Sequence, residues 1–243
     1  MIKHERHGDI SIIALDRAEK RNAMLPEMLD ELKVAIDESA DARAVVLVGE
    51  GKTFCAGFDL KACAADSSGE TMRALLSGLS ACVVAMRECP APVVLGVHGA
   101  AVAGGCALLG GADVVIADKN AKLGYPVVKI GVSPAVSSPF MLASMRAGVV
   151  RSLLLDTELI DGSRALELGM VHEIVETADQ VREHAIGIAE SIAIKQGDGC
   201  FATKRWLNEI CEVTPEVARQ GLDASLSLTG GEEERERLAA LWG

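Results

Sequence analysis

No apolar run in this chain approaches the roughly 20 residues needed to cross a bilayer, so no membrane span is expected. Seven cysteines occur without one Cys-x-x-Cys pair, which excludes the usual zinc-site spacings. Six of them, Cys55, Cys63, Cys82, Cys89, Cys106 and Cys200, sit among Ala, Val and Gly, as small buried thiols do. That usage fits a reducing, cytoplasmic setting. Positive charge is outnumbered: 24 Lys and Arg face 35 Asp and Glu, giving a formal net charge of −11. Nucleic-acid binding and attraction to an anionic membrane are therefore not expected. An anionic ligand would need a locally basic pocket. The segment Met1-Ile2-Lys3-His4-Glu5-Arg6-His7 is polar and lacks the apolar centre of a signal peptide, so none is expected. Low-complexity linkers are also missing.

What is present is a hydrophobic chain. Of 243 residues, 49% are apolar, enough for one substantial core with a small appendage. Strands are expected at residues 10–15, 44–48, 93–97, 113–117 and 171–175. The run at 44–48 is apolar throughout, which suggests burial on both faces. Leu25, Met28, Leu29, Leu32 and Ile36 have helical spacing, with Pro26 near the start. Residues 62–77 are expected as a mobile loop leading into a helix at 75–87. Further helices are expected at 106–109, 139–147, 150–155, 163–168, 180–195, 215–228 and 232–241. Strand, turn and helix recur through the first half, which favours an α/β fold of stacked units around parallel strands. The simplest division is a core over residues 1–190 with a helical region over 191–243.

Two of these strands break into glycine. Phe54-Cys55-Ala56-Gly57-Phe58-Asp59-Leu60 follows one, and His98-Gly99-Ala100-Ala101-Val102-Ala103-Gly104-Gly105-Cys106 follows another. In such turns bare backbone N–H groups can point at a ligand. Two N–H groups converging on one carbonyl oxygen make an oxyanion hole.

These segments, with Arg17 to Met24, Leu123-Gly124-Tyr125-Pro126, Gly131-Val132-Ser133-Pro134 and the helix end from Asp161 to Val171, resemble in order the crotonase (enoyl-CoA hydratase/isomerase) superfamily. Ala18 and Ala103 depart from its proline and glycine. The resemblance implies a spiral of ββα units, a C-terminal helical trimerisation region, and a homotrimer or dimer of trimers. It implies an acyl-CoA thioester as ligand and substrate, with no tightly bound cofactor. Its oxyanion hole maps to the backbone N–H groups of Phe58 and Gly104. Substrate contacts map to Ala23, Ala56, Gly57, Asp59, Leu60, Lys61, Gly105, Tyr125 and Ala135. Arg17, Arg21 and Lys61 are candidates for the CoA phosphates, and Lys204 and Arg205 for a neighbour's ligand. Ala62, Met72, Leu75 and Val136 are inferred to line the acyl pocket.

The same resemblance shows what is missing. The two glutamates of the family's hydratases map to Ala107 and Val127, and the nucleophilic aspartate of its dehalogenases maps near Ala135. Hydration needs one group to take a proton from water and another to deliver one to carbon. Alanine and valine do neither. Among possible substitutes, Tyr125 is expected as a packed aromatic with its hydroxyl at the surface. His98 is expected to be held by its surroundings rather than to act as a base. Asp66 and Cys63 would swing inward only if their loop moved. Three functions remain: an enoyl-CoA hydratase/isomerase-like enzyme that stabilises a thioester enolate, a non-catalytic acyl-CoA-binding pseudo-enzyme, and an acyl-CoA decarboxylase, whose bond cleavage makes the enolate without a base.

Overall fold

The computed structural model describes residues 1–195 and 197–241, so residue 196 and the last two residues of the 191–243 region lie outside it. The chain opens with β1 (Ile2–His7), β2 (Ile10–Leu15), α1 (Pro26–Glu38) and β3 (Ala44–Gly49). Then come α2 (Leu60–Ala65), α3 (Glu70–Glu88), β4 (Val93–Val97), β5 (Ala100–Val102) and α4 (Gly104–Ala107). The middle holds β6 (Val114–Asp118), β7 (Lys122–Gly124), α5 (Ser138–Ser144), α6 (Ala147–Leu155), β8 (Ile160–Asp161), α7 (Gly162–Leu168) and β9 (Glu173–Val175). Four helices end the chain: α8 (Gln180–Lys195), α9 (Asp198–Ile210), α10 (Pro215–Leu226) and α11 (Glu232–Ala240).

The apolar runs become the middle of a six-stranded sheet ordered β1-β2-β3-β4-β6-β9. All its pairs are parallel except β1 with β2. Side chains alternate across a strand, and both faces are covered. Ile10, Ile12, Ala14, Val46, Val94 and Ile116 pack with Ala185, Ala189 and Ala193 of α8. The small residues of α8 recur every four positions and let the helix lie close on the sheet. The alternate set, including Ile13, Leu15, Leu47, Leu95 and Val115, joins the apolar stripes of α1 and α3. The fully apolar strands thus have the two-sided burial their composition implied.

β4 and β6 each run through a short turn into the second, three-stranded sheet, as β5 and β7. After β3 the chain does the same with a single residue, since Cys55 bridges Ala101 of β5. β3, β4 and β6 each therefore feed a small-sheet position before a helix, which is the ββα repeat.

Three local expectations change. Residues 2–7 form an exposed edge strand whose pairing partner, β2, supplies the order that their own composition lacks. Residues 62–77 are two helices rather than a mobile loop, divided by Gly69 in the left-handed region (φ +77°). The Asp66 carboxylate accepts the backbone N–H groups of Ser68 (2.9 Å) and Thr71 (2.8 Å) and caps the start of α3. Hydrogen bonds from Ser68 and Thr71 hold it well below the usual carboxylate range. Lys204 does not reach outward. It is 6% exposed, donates to the carbonyls of Met86 (2.9 Å) and Ala91 (3.0 Å), and pairs with Asp113 at 2.8 Å. Arg205 is exposed, facing Glu209 one turn on.

Candidate functional site

The loop before α1 is locked first. Asn22 is fully buried: its side-chain oxygen accepts the Arg17 N–H (2.8 Å), and its amide donates to the carbonyls of Glu50, Thr53 and Phe54. This fixes the Arg17–Asn22 loop against the first glycine turn. Met24 then bridges Phe58 in parallel: the Met24 N–H donates to Gly57 (2.8 Å) and the Asp59 N–H donates back to Met24 (2.9 Å). A parallel bridge uses the groups flanking the bridged residue, so the N–H of Phe58 itself points to the other side. Gly57 makes the bend at φ +95°, where a Cβ would lie 2.9 Å from the Val102 carbonyl oxygen.

The second turn is stitched to the first. Cys55 donates to Ala100 (3.1 Å) and accepts from Val102 (3.0 Å), and Ala103 donates to Gly124 (2.8 Å). Gly104 then opens α4, where first-turn N–H groups have no partner within the helix. A Cβ on Gly104 would come 2.8 Å from the Phe58 ring, so the two residues pack face to face. Among the described residues, neither the Phe58 nor the Gly104 N–H donates to a carbonyl. Both residues line a single cavity of about 250 Å³.

That cavity brings together Ala56, Phe58, Leu60, Gly104, Ala107, Tyr125 and Val127 from the sequence-derived set, and Met72 and Val136 from the inferred pocket. Its wall takes in Leu76 and Leu79, which continue the Met72 stripe of α3, and Leu241, which follows α11. The stripe's 72, 76, 79 spacing is helical, a signal that the loop expected over 62–77 passes over. The arrival of Leu241 depends on how the C-terminal helices fold back, for which no local signal exists. Among the described residues, no Asp, Glu or His lines the cavity. Lys129 is the one charged residue lining it among the described residues. Its side chain is 57% exposed, with Glu158 at 4.0 Å, so it stands at the mouth.

The remaining predicted positions lie outside this wall. Gly57 and Gly105 are backbone hinges, and a Cβ on Gly105 would meet the Cys55 carbonyl at 2.6 Å. The Ala23 carbonyl accepts Arg17 Nη1. Asp59 begins α2 and pairs with Arg17 at 2.8 Å, which commits that guanidinium to the protein. Burial raises the Asp59 carboxyl, but Arg17 and the backbone donors outweigh it and hold it below its ordinary value. Lys61 is exposed on the first turn of α2. Ala135 turns its carbonyl to Ser138 and packs under Gly221 of α10, while its neighbours Pro134 and Val136 face the cavity. Ala62 and Leu75 also lie off the wall, Leu75 being inside the core.

Two side chains differ from expectation or refine it. The Tyr125 hydroxyl is not at the surface: the residue is 3% exposed and donates to the Cys106 carbonyl at 3.0 Å. Burial pushes this phenol well above the ordinary tyrosine value. His98 is bound to the Gly51 carbonyl (3.1 Å), and burial lowers its basicity. Burial also pushes the Cys106 thiol up to about 12, so it is no nucleophile.

A family model described as enoyl-CoA hydratase/isomerase matches residues 5–236. A Thermus thermophilus protein assigned to the enoyl-CoA hydratases is 36% identical, over 85% of this chain and 83% of its own length. A Mycobacterium tuberculosis relative, 32% identical over 85% of this chain and 83% of its own, is named a (7aS)-7a-methyl-1,5-dioxo-2,3,5,6,7,7a-hexahydro-1H-indene-carboxyl-CoA hydrolase. The crystal structure of an enoyl-CoA hydratase/isomerase from Xanthobacter autotrophicus Py2 superposes with a TM-score of 0.89 at 27% identity, covering 98% of this chain and 91% of that one.

Proposed function

Because the chain belongs to the enoyl-CoA hydratase/isomerase family, we propose that its cavity takes the acyl group of a coenzyme A thioester, with the thioester oxygen between the N–H groups of Phe58 and Gly104. Two unpartnered backbone donors opening on one apolar cavity carry this reading. Each well-placed donor supplies roughly 3–4 kcal/mol of stabilisation to a developing oxyanion.

Hydration is not the reaction this wall supports. Ala107 and Val127 are hydrocarbon, and no carboxylate stands elsewhere along it among the described residues. An enolate can instead arise when a group leaves. In a β-carboxyacyl-CoA the bond from the α-carbon to the carboxylate breaks, carbon dioxide departs, and the electron pair enters the thioester as an enolate. An apolar wall disfavours the buried carboxylate and tolerates neutral carbon dioxide. We therefore assign decarboxylation of malonyl-type thioesters as the best-supported reaction. The relative named as a hydrolase of a dioxo-indene carboxyl-CoA is consistent with chemistry other than hydration near this chain. The same missing carboxylates favour one second reading, a pseudo-enzyme that binds acyl-CoA without turnover.

Crotonyl-CoA, malonyl-CoA, methylmalonyl-CoA and 3-hydroxybutyryl-CoA, each incubated with the protein and followed by mass spectrometry, separate these readings. Loss of carbon dioxide from the malonyl-type esters with crotonyl-CoA unchanged is the expected result. Hydration of crotonyl-CoA at an ordinary hydratase rate overturns it. Calorimetric binding of every ester with none altered over hours selects the pseudo-enzyme. Absence of thermal stabilisation at high ligand concentration removes the ligand class itself.

A further inference from the structure

Decarboxylation needs no base, but it does need a proton for the α-carbon afterwards. The described residues of the cavity wall offer few donors. Lys129 stands at the mouth, turned toward Glu158. The other titratable group is the phenol of Tyr125. Its hydroxyl is bonded to the carbonyl of Cys106, the residue before Ala107, and its backbone lies two residues before Val127. Ala107, Tyr125 and Val127 all line the same cavity. Tyr125 is thus a titratable lining residue close in the chain to Val127, and its hydroxyl is anchored one residue before Ala107. Ser137, 4% exposed and also on the wall, is placed so that its side chain favours the phenolate form of Tyr125. At rest the Tyr125 proton sits on the Cys106 carbonyl, and a phenolate at Tyr125 can accept a proton from the Ser137 hydroxyl.

We propose that Tyr125 is the proton donor to the α-carbon of the thioester enolate, with Ser137 as the group through which it is reprotonated. This rests on the decarboxylation reading above. The step balances as follows. The hydroxyl turns from the Cys106 carbonyl to the α-carbon, and its O–H bond breaks, leaving the electron pair on the phenolate oxygen. The enolate π pair forms the new Cα–H bond, a lone pair on the enolate oxygen restores the thioester carbonyl between the N–H groups of Phe58 and Gly104, and the negative charge ends on Tyr125. The phenolate then takes the Ser137 proton, and Ser137 takes one from solvent water. Net, one solvent proton replaces one carbon dioxide. Burial keeps the phenol protonated at neutral pH. A thioester enolate is a much stronger carbon base than phenolate, so the transfer runs downhill.

Methylmalonyl-CoA in deuterated buffer tests this, because the propionyl-CoA formed carries one deuterium at a stereogenic α-carbon. The wild type is expected to deliver it to one face. In Y125F, kcat is expected to fall roughly 100-fold with the ester's calorimetric Kd unchanged, and the residual product is expected to be deuterated on both faces. A merely structural tyrosine would not control that face. S137A should slow turnover while keeping the single face, since the tyrosine remains. Y125F with wild-type turnover, or with single-face deuteration, overturns the assignment. If Y125F does not fold, S137A decides: an unchanged rate in S137A overturns the relay. A wild type that binds the ester but releases no carbon dioxide removes both the proposal and the reading beneath it, which distinguishes that failure from the first.

Discussion

Ala103 holds a backbone conformation, φ +53° and ψ −115°, that any side chain resists. Its N–H is tied to Gly124 and its carbonyl takes the Ala107 N–H, so the neighbours enforce the angle. A non-glycine residue in such a region costs about 1–3 kcal/mol. The strain sits beside Gly104, whose N–H is one of the two open donors. Replacing Ala103 by glycine relieves it but adds freedom to the unfolded chain, worth about 0.4–1 kcal/mol. Ala103→Gly is therefore expected to stabilise the protein by about 1 kcal/mol, raising the melting midpoint by about 2–4 °C. A lower midpoint by calorimetry would mean that the methyl group is well packed against the first turn. Tyr125 shows the limit of sequence reading at this scale. A lone tyrosine in a turn gives no local sign of where its hydroxyl goes; the carbonyl that receives it comes from α4, nineteen residues earlier.

Helix α9 is tied to the core through Lys204 and through Asn208, whose amide donates to the Arg87 carbonyl at 2.9 Å. Lys204 passes between the end of α3 and the start of β4, where two carbonyls and Asp113 receive it. Asp113 also accepts the Val93 N–H at 2.7 Å, so one carboxylate joins α9, β4 and the approach to β6. Removing one partner of a buried pair leaves the other charge uncompensated, at about 3–5 kcal/mol. Lys204→Met is expected to lower stability by that amount in urea unfolding, and adding Asp113→Asn should recover part of it. If Lys204→Met alone is neutral, the ion pair does not hold α9. The central strands were legible in the sequence because continuous Val, Ile and Leu runs ending in glycine are a local pattern. Phe58, Gly104, Ala107 and Val127 came instead from the family resemblance, and the fold brings all four to one cavity. The edge strand β1 and the outer wall were not legible. β1 is polar and takes its order from pairing with β2 and from Glu31 of α1, while Leu241 reaches the cavity because α10 packs on α3 and α11 on α2. The Ala-rich segment at 62–77 reads as a loop because Gly69 interrupts what are two good helices.

Across the whole molecule, the thiols report whether this packing is cooperative. Cys55, Cys63, Cys82, Cys89 and Cys106 are buried, Cys200 is half-buried and Cys211 is exposed. Burial pushes Cys55, Cys63, Cys82 and Cys106 up to about 12. At pH 8 such groups carry almost no thiolate, the form that attacks a disulfide reagent. The native protein is therefore expected to give no more than two fast equivalents with such a reagent, Cys211 before Cys200, and seven after unfolding in urea. The slow five can react only when the chain opens, and their rate then follows the open fraction. A ligand bound only by the folded form lowers that fraction by the factor 1 + [L]/Kd. An acyl-CoA ester should accordingly slow all five together while leaving Cys211 untouched. Cys55 bridges the two glycine turns and Cys82 lies far along α3. Slowing at Cys55 alone, read by peptide mapping, would show that the site opens independently of the core, and that the two turns are not held by the cooperative fold around them.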